Sequence, residues 1–213
     1  MTASTSEKPK KHFSMIREFH LADFLTLANA ACGVAAVFAA ISFVETRQRA
    51  HFFIAVGLGP CAFVFDALDG HVARWRHKHS VMGRELDSLA DVISFGVAPA
   101  AIGYAAGLRG GWDRAILIFF VACGVSRLAR YNVTAETLSA GAAKVKYFEG
   151  APIPTSLLLT AVLTIMALAD RLGASAMWLG VVDLGPFQLH PIALLFAAHG
   201  ALMISATIRI PKP

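Results

Sequence analysis

The chain has 213 residues, of which 56% are hydrophobic and only 15% are charged. A soluble domain is nearer one quarter charged, so this composition, with a mean hydropathy of +0.60, excludes an ordinary soluble protein and predicts an integral membrane protein. The net charge of +5 is placed in a way that suits a membrane surface, and we expect no nucleic-acid partner. The three cysteines lie inside apolar segments and predict buried thiols rather than disulfides.

Apolar segments recur along the chain at the length needed to cross a bilayer, which is about 20 helical residues. One domain over residues 23–208 is therefore predicted, followed by a short tail at 209–213. Residues 1–22 form a leader in which 10–22 mix basic and apolar side chains; an interfacial amphipathic helix is predicted there, with a plain polar leader as the alternative. The fold class is all-α, with six transmembrane helices at 23–44, 51–75, 84–106, 113–131, 152–170 and 188–208.

Lysine and arginine are distributed unevenly between the two ends of the predicted spans. Fourteen of the nineteen lie at the end that carries both termini. Because cytoplasmic loops carry an excess of positive charge, that end is predicted to be cytoplasmic. The opposite end carries the other five, Arg47, Arg49, Arg109, Arg114 and Arg171.

Acidic residues concentrate in the stretch 66–91, which reads DALDGHVARWRHKHSVMGRELDSLAD. Asp66 and Asp69 are three residues apart, and Asp87 and Asp91 are four apart, so each pair lies on one face of a helix. The hydrophilic run between the pairs predicts a turn, and two antiparallel helices would then aim four carboxylates at one another. Carboxylates at such close range need a counter-charge, and a set of oxygen ligands favours Mg²⁺ or Mn²⁺ over Zn²⁺.

The pattern D-x2-D-G-x2-A-R-x8-G-x3-D-x3-D, as it stands from Asp66 to Asp91, resembles the signature of the CDP-alcohol phosphatidyltransferases at all eight fixed positions. The stretches TLANAACG, MGRELDSLADVISFGVAPA, RLARYN and FEGAPIP further resemble one branch of that family, the bacterial phosphatidylserine synthases. The resemblance implies transfer of a phosphatidyl group from CDP-diacylglycerol to L-serine with release of CMP. It also implies a homodimer in the bacterial inner membrane, among membrane lipids, with its site facing the cytoplasm.

The same resemblance assigns roles around the acidic stretch. It implies that Asp66, Asp69 and Asp87 bind a divalent metal, that Asp91 shares a second ion, and that Asp91 is the catalytic general base. The residues expected to bind CDP-diacylglycerol are Asn29, Asp69, Gly70, Ala73, Arg74 and Gly83. Two of them have an alternative interpretation: Asn29 as a polar contact between helices, and Arg74 as a basic residue that reaches the membrane surface from a helix end.

The serine pocket is predicted from residues whose roles stay open. Arg127 and Arg130 lie about one turn apart, and an arginine fork suits either the serine carboxylate or the lipid pyrophosphate. Glu149 in FEGAPIP is a candidate partner for the serine ammonium, with a solvated loop glutamate as the alternative. Lys144 and Lys146 suit phosphates or anionic lipid, with solvated loop charges as the alternative.

Other functions share parts of this pattern. Within the family, the acceptor could be glycerol phosphate, inositol phosphate or choline, and only the RLARYN and FEGAPIP stretches favour serine. An intramembrane prenyltransferase also uses aspartates and Mg²⁺ for a lipid pyrophosphate, but with a different aspartate spacing. A divalent-cation transporter would hold carboxylates at mid-membrane, whereas these aspartates lie at one edge beside basic residues suited to phosphates.

Overall fold

The computed structural model describes residues 21–75, 81–139, 147–205 and 209–211. Most of these residues are helical. The helices are α1 (Leu21–Thr46), α2 (Arg49–Trp75), α3 (Val81–Asp91), a π-helix (Val92–Val97), α4 (Ala98–Ala106), α5 (Gly111–Ser139), a 3₁₀-helix (Ile153–Ser156), α6 (Leu157–Leu168) and α7 (Ala193–Ile204). The strands are β1 (Tyr147–Glu149), β2 (Val182–Leu184), β3 (Phe187–Leu189) and β4 (Arg209–Pro211).

Four helical segments in the described ranges are long and apolar enough to cross a membrane, and they confirm an integral membrane protein. The fifth and sixth predicted spans correspond to shorter apolar helices, Ile153–Leu168 and Ala193–Ile204, so the count of six stays a prediction. The predicted interfacial helix at 10–22 lies almost wholly outside the described residues. The four long segments are Ala22–Thr46, Arg49–Val72, Met82–Ala106 and Gly111–Thr134.

Two small antiparallel sheets depart from the all-α prediction. β1 pairs with β4 in the register Tyr147↔Pro211 and joins the segment before α6 to the C-terminal tail. β2 and β3 form a hairpin in the register Val182↔Leu189, within the loop between α6 and α7. Three-residue strands are too short to show a two-residue alternation, so the sequence pattern could not reveal them.

The third span is interrupted by the π-helix between α3 and α4. Ser94, Phe95 and Gly96 of this turn are buried. Gly33 of α1 packs directly against it, since a Cβ at position 33 would lie 2.5 Å from Oγ and 2.8 Å from Cα of Ser94. The Ser94 hydroxyl donates a hydrogen bond of 2.8 Å to the carbonyl oxygen of Asn29. The close approach of α1 to the π-helix therefore depends on the absence of a side chain at Gly33.

The buried face of α1 changes character along the helix. Near its start the buried side chains are polar, namely Asp23, Thr26 and Asn29, and further along they are apolar, including Ala36 and Phe43. Positions three or four residues apart share a helix face, so one continuous face is polar at one end and apolar beyond it. α1 thus supplies polar groups to one end of the bundle and core packing to the rest.

Aromatic side chains join the helices through the apolar part of the bundle. Phe43 of α1 and Phe52 of α2 meet edge to face at 5.2 Å between ring centroids. Phe120 of α5 and Phe196 of α7 do the same at 5.4 Å. Edge-to-face pairs add about 0.5–1.5 kcal/mol beyond the burial of their area. This packing holds the helices in register along the part of the bundle that lies beyond the polar end.

Candidate active site

Three of the four carboxylates that the motif spacing aims at one another meet at the polar end of the bundle. Asp66 and Asp69 lie one turn apart near the end of α2, and Asp87 lies in α3. One oxygen atom from each carboxylate lies within 4.8 Å of the other two. Asp69 is buried, and Asp66 and Asp87 are half-buried. The two helices on either side of residues 76–80 therefore bring these acidic groups together.

The donor set of this cluster fits a divalent cation. Its ligand atoms are all carboxylate oxygens, which hard cations such as Mg²⁺ and Mn²⁺ prefer. Oδ1 of Asp87 is buried and has no hydrogen-bond partner within the described residues. A buried carboxylate oxygen that lacks a partner is costly unless a positive charge compensates it. Asp66, Asp69 and Asp87 are therefore suited to hold a metal ion, and the geometry does not distinguish Mg²⁺ from Mn²⁺.

Asp91 lies one turn beyond Asp87 and outside the group of three. Its side chain is 8% exposed, and Asn29, which is fully buried, donates a hydrogen bond from Nδ2 to Asp91 Oδ1 at 3.4 Å. Asn29 Oδ1 has no hydrogen-bond partner in the part of the chain that is described. Asn29 therefore reaches Asp91 from α1 and orients one of its carboxylate oxygens.

Two further residues of α1 lie against the cluster, and sequence reasoning missed both. The Thr26 hydroxyl donates a hydrogen bond of 2.6 Å to Asp69 Oδ2. Asp23 is buried one turn earlier, and its charge interacts with that of Asp69. The signal was present in the sequence, because Asp23, Thr26 and Asn29 recur at three-residue intervals and so share one face of an otherwise apolar helix.

The two arginines of RLARYN have different surroundings. Arg127 is partly buried in α5 and is attracted electrostatically to Asp91, and its Nε is buried without a hydrogen-bond partner in the described ranges. Arg130 is exposed, and its Nη2 donates to the carbonyl oxygen of Ile204 at 3.5 Å, at the end of α7. The structure thus places Arg127 near Asp91 and Arg130 at a contact between helices.

Asn132, the last residue of RLARYN, links α5 to α3. Its Nδ2 donates to Ser88 Oγ at 3.0 Å and to Glu85 Oε2 at 3.3 Å. Ser88 follows Asp87 directly, so this network borders the acidic cluster. Sequence reasoning did not single out Asn132, Ser88 or Glu85, because only the packing of α5 on α3 brings them together.

The other predicted site residues are placed only in part. Gly70 and Gly83 lie in α2 and α3, next to the helical turns that carry Asp69 and Asp87. Ala73 and Arg74 lie in the last turn of α2, and Glu149 ends β1, where it is paired with Arg209 in the backbone register. What is described does not extend to the side chains of Ala73, Arg74 and Glu149 or to any part of Lys144 and Lys146.

The fold and the site define a helical membrane protein with carboxylates and an arginine grouped at one end of the bundle. The chain belongs to the CDP-alcohol phosphatidyltransferase family, whose model matches residues 19–206. This match confirms the family that the aspartate motif indicated.

The relatives of this chain include proteins named CDP-diacylglycerol–serine O-phosphatidyltransferase. The one from Saccharomyces cerevisiae is 45% identical over 218 residues, which is 95% of this chain and 74% of that protein. The one from Methanocaldococcus jannaschii is 35% identical over 147 residues, covering 69% of this chain and 61% of that protein. The one from Mycobacterium leprae is 41% identical over 123 residues, covering 56% of this chain and 40% of that protein. The similarity therefore includes yeast, archaeal and bacterial proteins.

Proposed function

We propose that the protein transfers the phosphatidyl group of CDP-diacylglycerol to the hydroxyl of L-serine, giving phosphatidylserine and CMP. The observation that carries this proposal is the cluster of Asp66, Asp69 and Asp87, whose oxygens lie within 4.8 Å of one another in a chain of this family. Serine as the acceptor is supported by the yeast relative, whose similarity extends over 95% of the chain.

The acidic cluster is proposed to hold Mg²⁺ or Mn²⁺ through Asp66, Asp69 and Asp87, with Asp91 sharing a second ion. When bound, divalent ions there supply positive charge that neutralises the phosphoryl oxygens of the substrate. On the same side of the bundle, Asn29, Gly70, Ala73, Arg74 and Gly83 are proposed to bind the nucleotide and its phosphates, together with Asp69. The two glycines would let the nucleotide approach the helix backbone closely.

Asp91 is proposed as the general base. Asn29 donates to Asp91 Oδ1, which leaves Oδ2 to accept the proton of the serine hydroxyl. As that proton leaves, the serine oxygen forms a bond to the phosphorus on the diacylglycerol side, and the bond from that phosphorus to CMP breaks. Asp91 and Asn29 are buried, and this burial keeps bulk water away from the Asp91 carboxylate. Hydrolysis of the lipid substrate, the competing reaction, is thereby limited.

Arg127 is proposed to bind the serine carboxylate or the pyrophosphate of the lipid substrate. Its buried Nε has no hydrogen-bond acceptor among the described residues, and its charge interacts with that of Asp91. A buried guanidinium with a free N–H donor binds an anionic oxygen strongly. Arg130, Lys144, Lys146 and Glu149 stay candidates for the same pocket, with Glu149 as the partner of the serine ammonium.

The orientation in the membrane is likewise a proposal. Six spans would place both termini at the end that carries the acidic cluster and most of the Lys and Arg residues, which is then the cytoplasmic end. CDP-linked lipid and soluble serine meet at that face. The bacterial inner membrane and a homodimer are proposed from the resemblance to the bacterial branch of the family.

A family member with another acceptor, such as glycerol phosphate, inositol phosphate or choline, is the second candidate. The family match removes support for a prenyltransferase or a cation transporter.

The proposed function is tested with purified protein in detergent. The protein is incubated with CDP-diacylglycerol, Mn²⁺ or Mg²⁺ and a panel of alcohols, and CMP is measured. We expect CMP release with serine and with no other alcohol of the panel. CMP with a different alcohol would reassign the acceptor, and no CMP from folded protein with any alcohol would reject the function.

A further inference from the structure

The loop between α6 and α7 presents an unusually apolar surface at the end of the bundle opposite the carboxylates. We define the outer hairpin as residues 174–189, which contain β2, β3 and the turns before them. Asp183 is the one charged residue in this range, and Leu179, at 75% exposure, is the most exposed of its large apolar side chains. Its exposed large apolar residues are Trp178, Leu179, Val181, Val182, Leu184 and Phe187.

The outer hairpin is fixed to the start of α5. Trp112 donates from Nε1 to the carbonyl oxygen of Leu184 at 2.9 Å, and its ring meets that of Phe187 edge to face at 6.1 Å. Gly110 and Gly111 allow the strand to approach this closely, because a Cβ at either position would clash with Gln188 or Phe187. The apolar side chains of the hairpin are therefore presented by a defined structure rather than by a loose loop.

A buried pair of polar residues closes the base of the outer hairpin. Asp113 and His190 are 0% and 1% exposed, and His190 Nδ1 lies 2.5 Å from Asp113 Oδ2. The backbone amides of Gly110 and His190 also donate to this carboxylate, at 2.8 and 2.7 Å. His190 Nε2 donates to the carbonyl oxygen of Ala174 at 3.0 Å. One carboxylate of α5 thus organises both ends of the segment that carries the exposed apolar residues.

The outer hairpin continues the lipid-facing surface of α5. Trp112 and Phe119 are seven residues apart on one face of α5, and both are exposed, as is Ile118 beside them. Arg114 and Arg171, which flank the hairpin at the same end of the bundle, are exposed as well. Exposed tryptophans next to arginines are typical of the zone between headgroups and acyl chains. The free edges of a two-stranded hairpin need water or headgroups as partners, so the hydrocarbon interior is excluded.

We propose that the outer hairpin lies in the interfacial zone of the membrane leaflet opposite the acidic cluster, with Trp178, Leu179 and Phe187 inserted among the lipids. The partner is a phospholipid surface, and the hairpin acts as an anchor that fixes the depth of α5. This inference does not depend on the proposed reaction.

The test uses full-length protein in which Trp75→Phe leaves Trp112 and Trp178 as fluorophores, reconstituted in phosphatidylcholine vesicles. The vesicles contain phospholipid brominated either near the headgroup end or near the methyl end of its acyl chains. Bromine near the headgroups is expected to reduce the emission by about half, because an interfacial element sits about 5–10 Å deep, with a smaller loss from bromine near the chain ends. Aqueous iodide is expected to quench little.

Two variants test whether the quenching depends on the apolar surface of the outer hairpin. Leu179→Asp places a second charge on the most exposed apolar position and is expected to weaken quenching by lipid and shift emission to longer wavelength. Asp183→Asn, in the same hairpin, is expected to change neither. Strong iodide quenching with no lipid quenching in the Trp75→Phe protein would place the hairpin in water and overturn the proposal. Lipid quenching that grows as protein is diluted in the vesicles would assign the surface to a second copy of the chain and overturn it equally.

Discussion

Thr26 and Asp69 are joined by a hydrogen bond of 2.6 Å, although 43 residues separate them along the chain. The threonine hydroxyl of α1 thereby fixes the direction of a carboxylate that α2 supplies to the acidic cluster. Groups that orient a metal-binding carboxylate change metal affinity by about 10- to 100-fold when they are removed. α1 is therefore part of the candidate metal site, although Asp66, Asp69 and Asp87 all lie in other helices.

Thr26→Ala is expected to weaken metal binding rather than to unfold the protein. Because Asp69 loses the group that orients it, the Mn²⁺ concentration that gives half-maximal CMP release should rise by about 10- to 100-fold. Thr26→Ser keeps the hydroxyl and is the matched control, with a metal dependence close to that of the unaltered chain. An equal shift in both variants would show that the methyl group, and not the hydrogen bond, is what matters.

Asp91→Asn is expected to retain binding of CDP-diacylglycerol and to lose turnover. The amide cannot accept a proton, and a positioned general base contributes about 10²- to 10⁴-fold to rate. Binding is measured by nucleotide-dependent thermal stabilisation and turnover by CMP release. Asp183→Asn removes a carboxylate from the opposite end of the bundle and serves as the control. Normal turnover by Asp91→Asn would show that another group takes the proton.

Gly33→Ala is expected to destabilise the fold by about 1–3 kcal/mol, the usual cost of overpacking. The added Cβ would meet the backbone of Ser94 as well as its hydroxyl, so rotation of a side chain cannot relieve the contact. Gly57→Ala in α2 is the control, since a Cβ there has no atom within 4 Å and alanine favours the helix. Thermal denaturation in detergent should therefore separate the two variants, and equal melting temperatures would contradict the tight contact.

Arg127→Ala and Arg130→Ala are expected to differ in their kinetics. Arg127 lies beside Asp91, so its loss should remove a charge-assisted hydrogen bond to substrate, worth about 1.5–3 kcal/mol or roughly 10- to 100-fold in kcat/KM. Arg130 donates to the carbonyl oxygen of Ile204, so its loss should lower kcat/KM less than the loss of Arg127 does. Separate titrations of serine and CDP-diacylglycerol then show which KM rises. A larger effect at Arg130 would reverse this assignment.

Asn132→Ala is expected to lower both the melting temperature and kcat, with little change in KM for either substrate. The substitution removes the contact between α5 and the two α3 residues Glu85 and Ser88, so α3 would hold Asp87 less firmly. Ser88→Ala removes only one of these partners and should have a smaller effect in the same direction. A rise in the KM for serine alone would instead make Asn132 a direct ligand of the acceptor.

The carboxylate cluster could be predicted from the sequence because helical geometry alone aligns Asp66 with Asp69 and Asp87 with Asp91. The polar run between the two pairs then leaves one way to bring them together. Thr26 and Asn132 could not be assigned in the same way, since their roles depend on which helix packs against which. The different surroundings of Arg127 and Arg130 were hidden for the same reason, because a spacing of three residues places both near one face.

The spans were predicted with unequal success, for physical reasons. The first four are long runs of apolar residues, which composition alone detects. α6 and α7 are shorter than a full crossing within the described ranges, and the predicted spans had included residues that precede each of these helices. The β-pairing of the outer hairpin could not be predicted, because pairing over three residues leaves no trace in hydropathy.

The π-helix at Val92–Val97 determines how Asp87 and Asp91 are oriented relative to the rest of the third span. Each residue of an α-helix turns the chain by about 100°, and a turn of π-helix contains more residues than a turn of α-helix. The π-helix therefore determines how far the residues of α3 are rotated about the helix axis relative to those of α4. Deleting one residue within this turn would swing Asp87 and Asp91 around the helix axis while α4 kept its place in the core. Insertions and deletions are therefore expected to be excluded from this stretch, although most of its side chains are apolar.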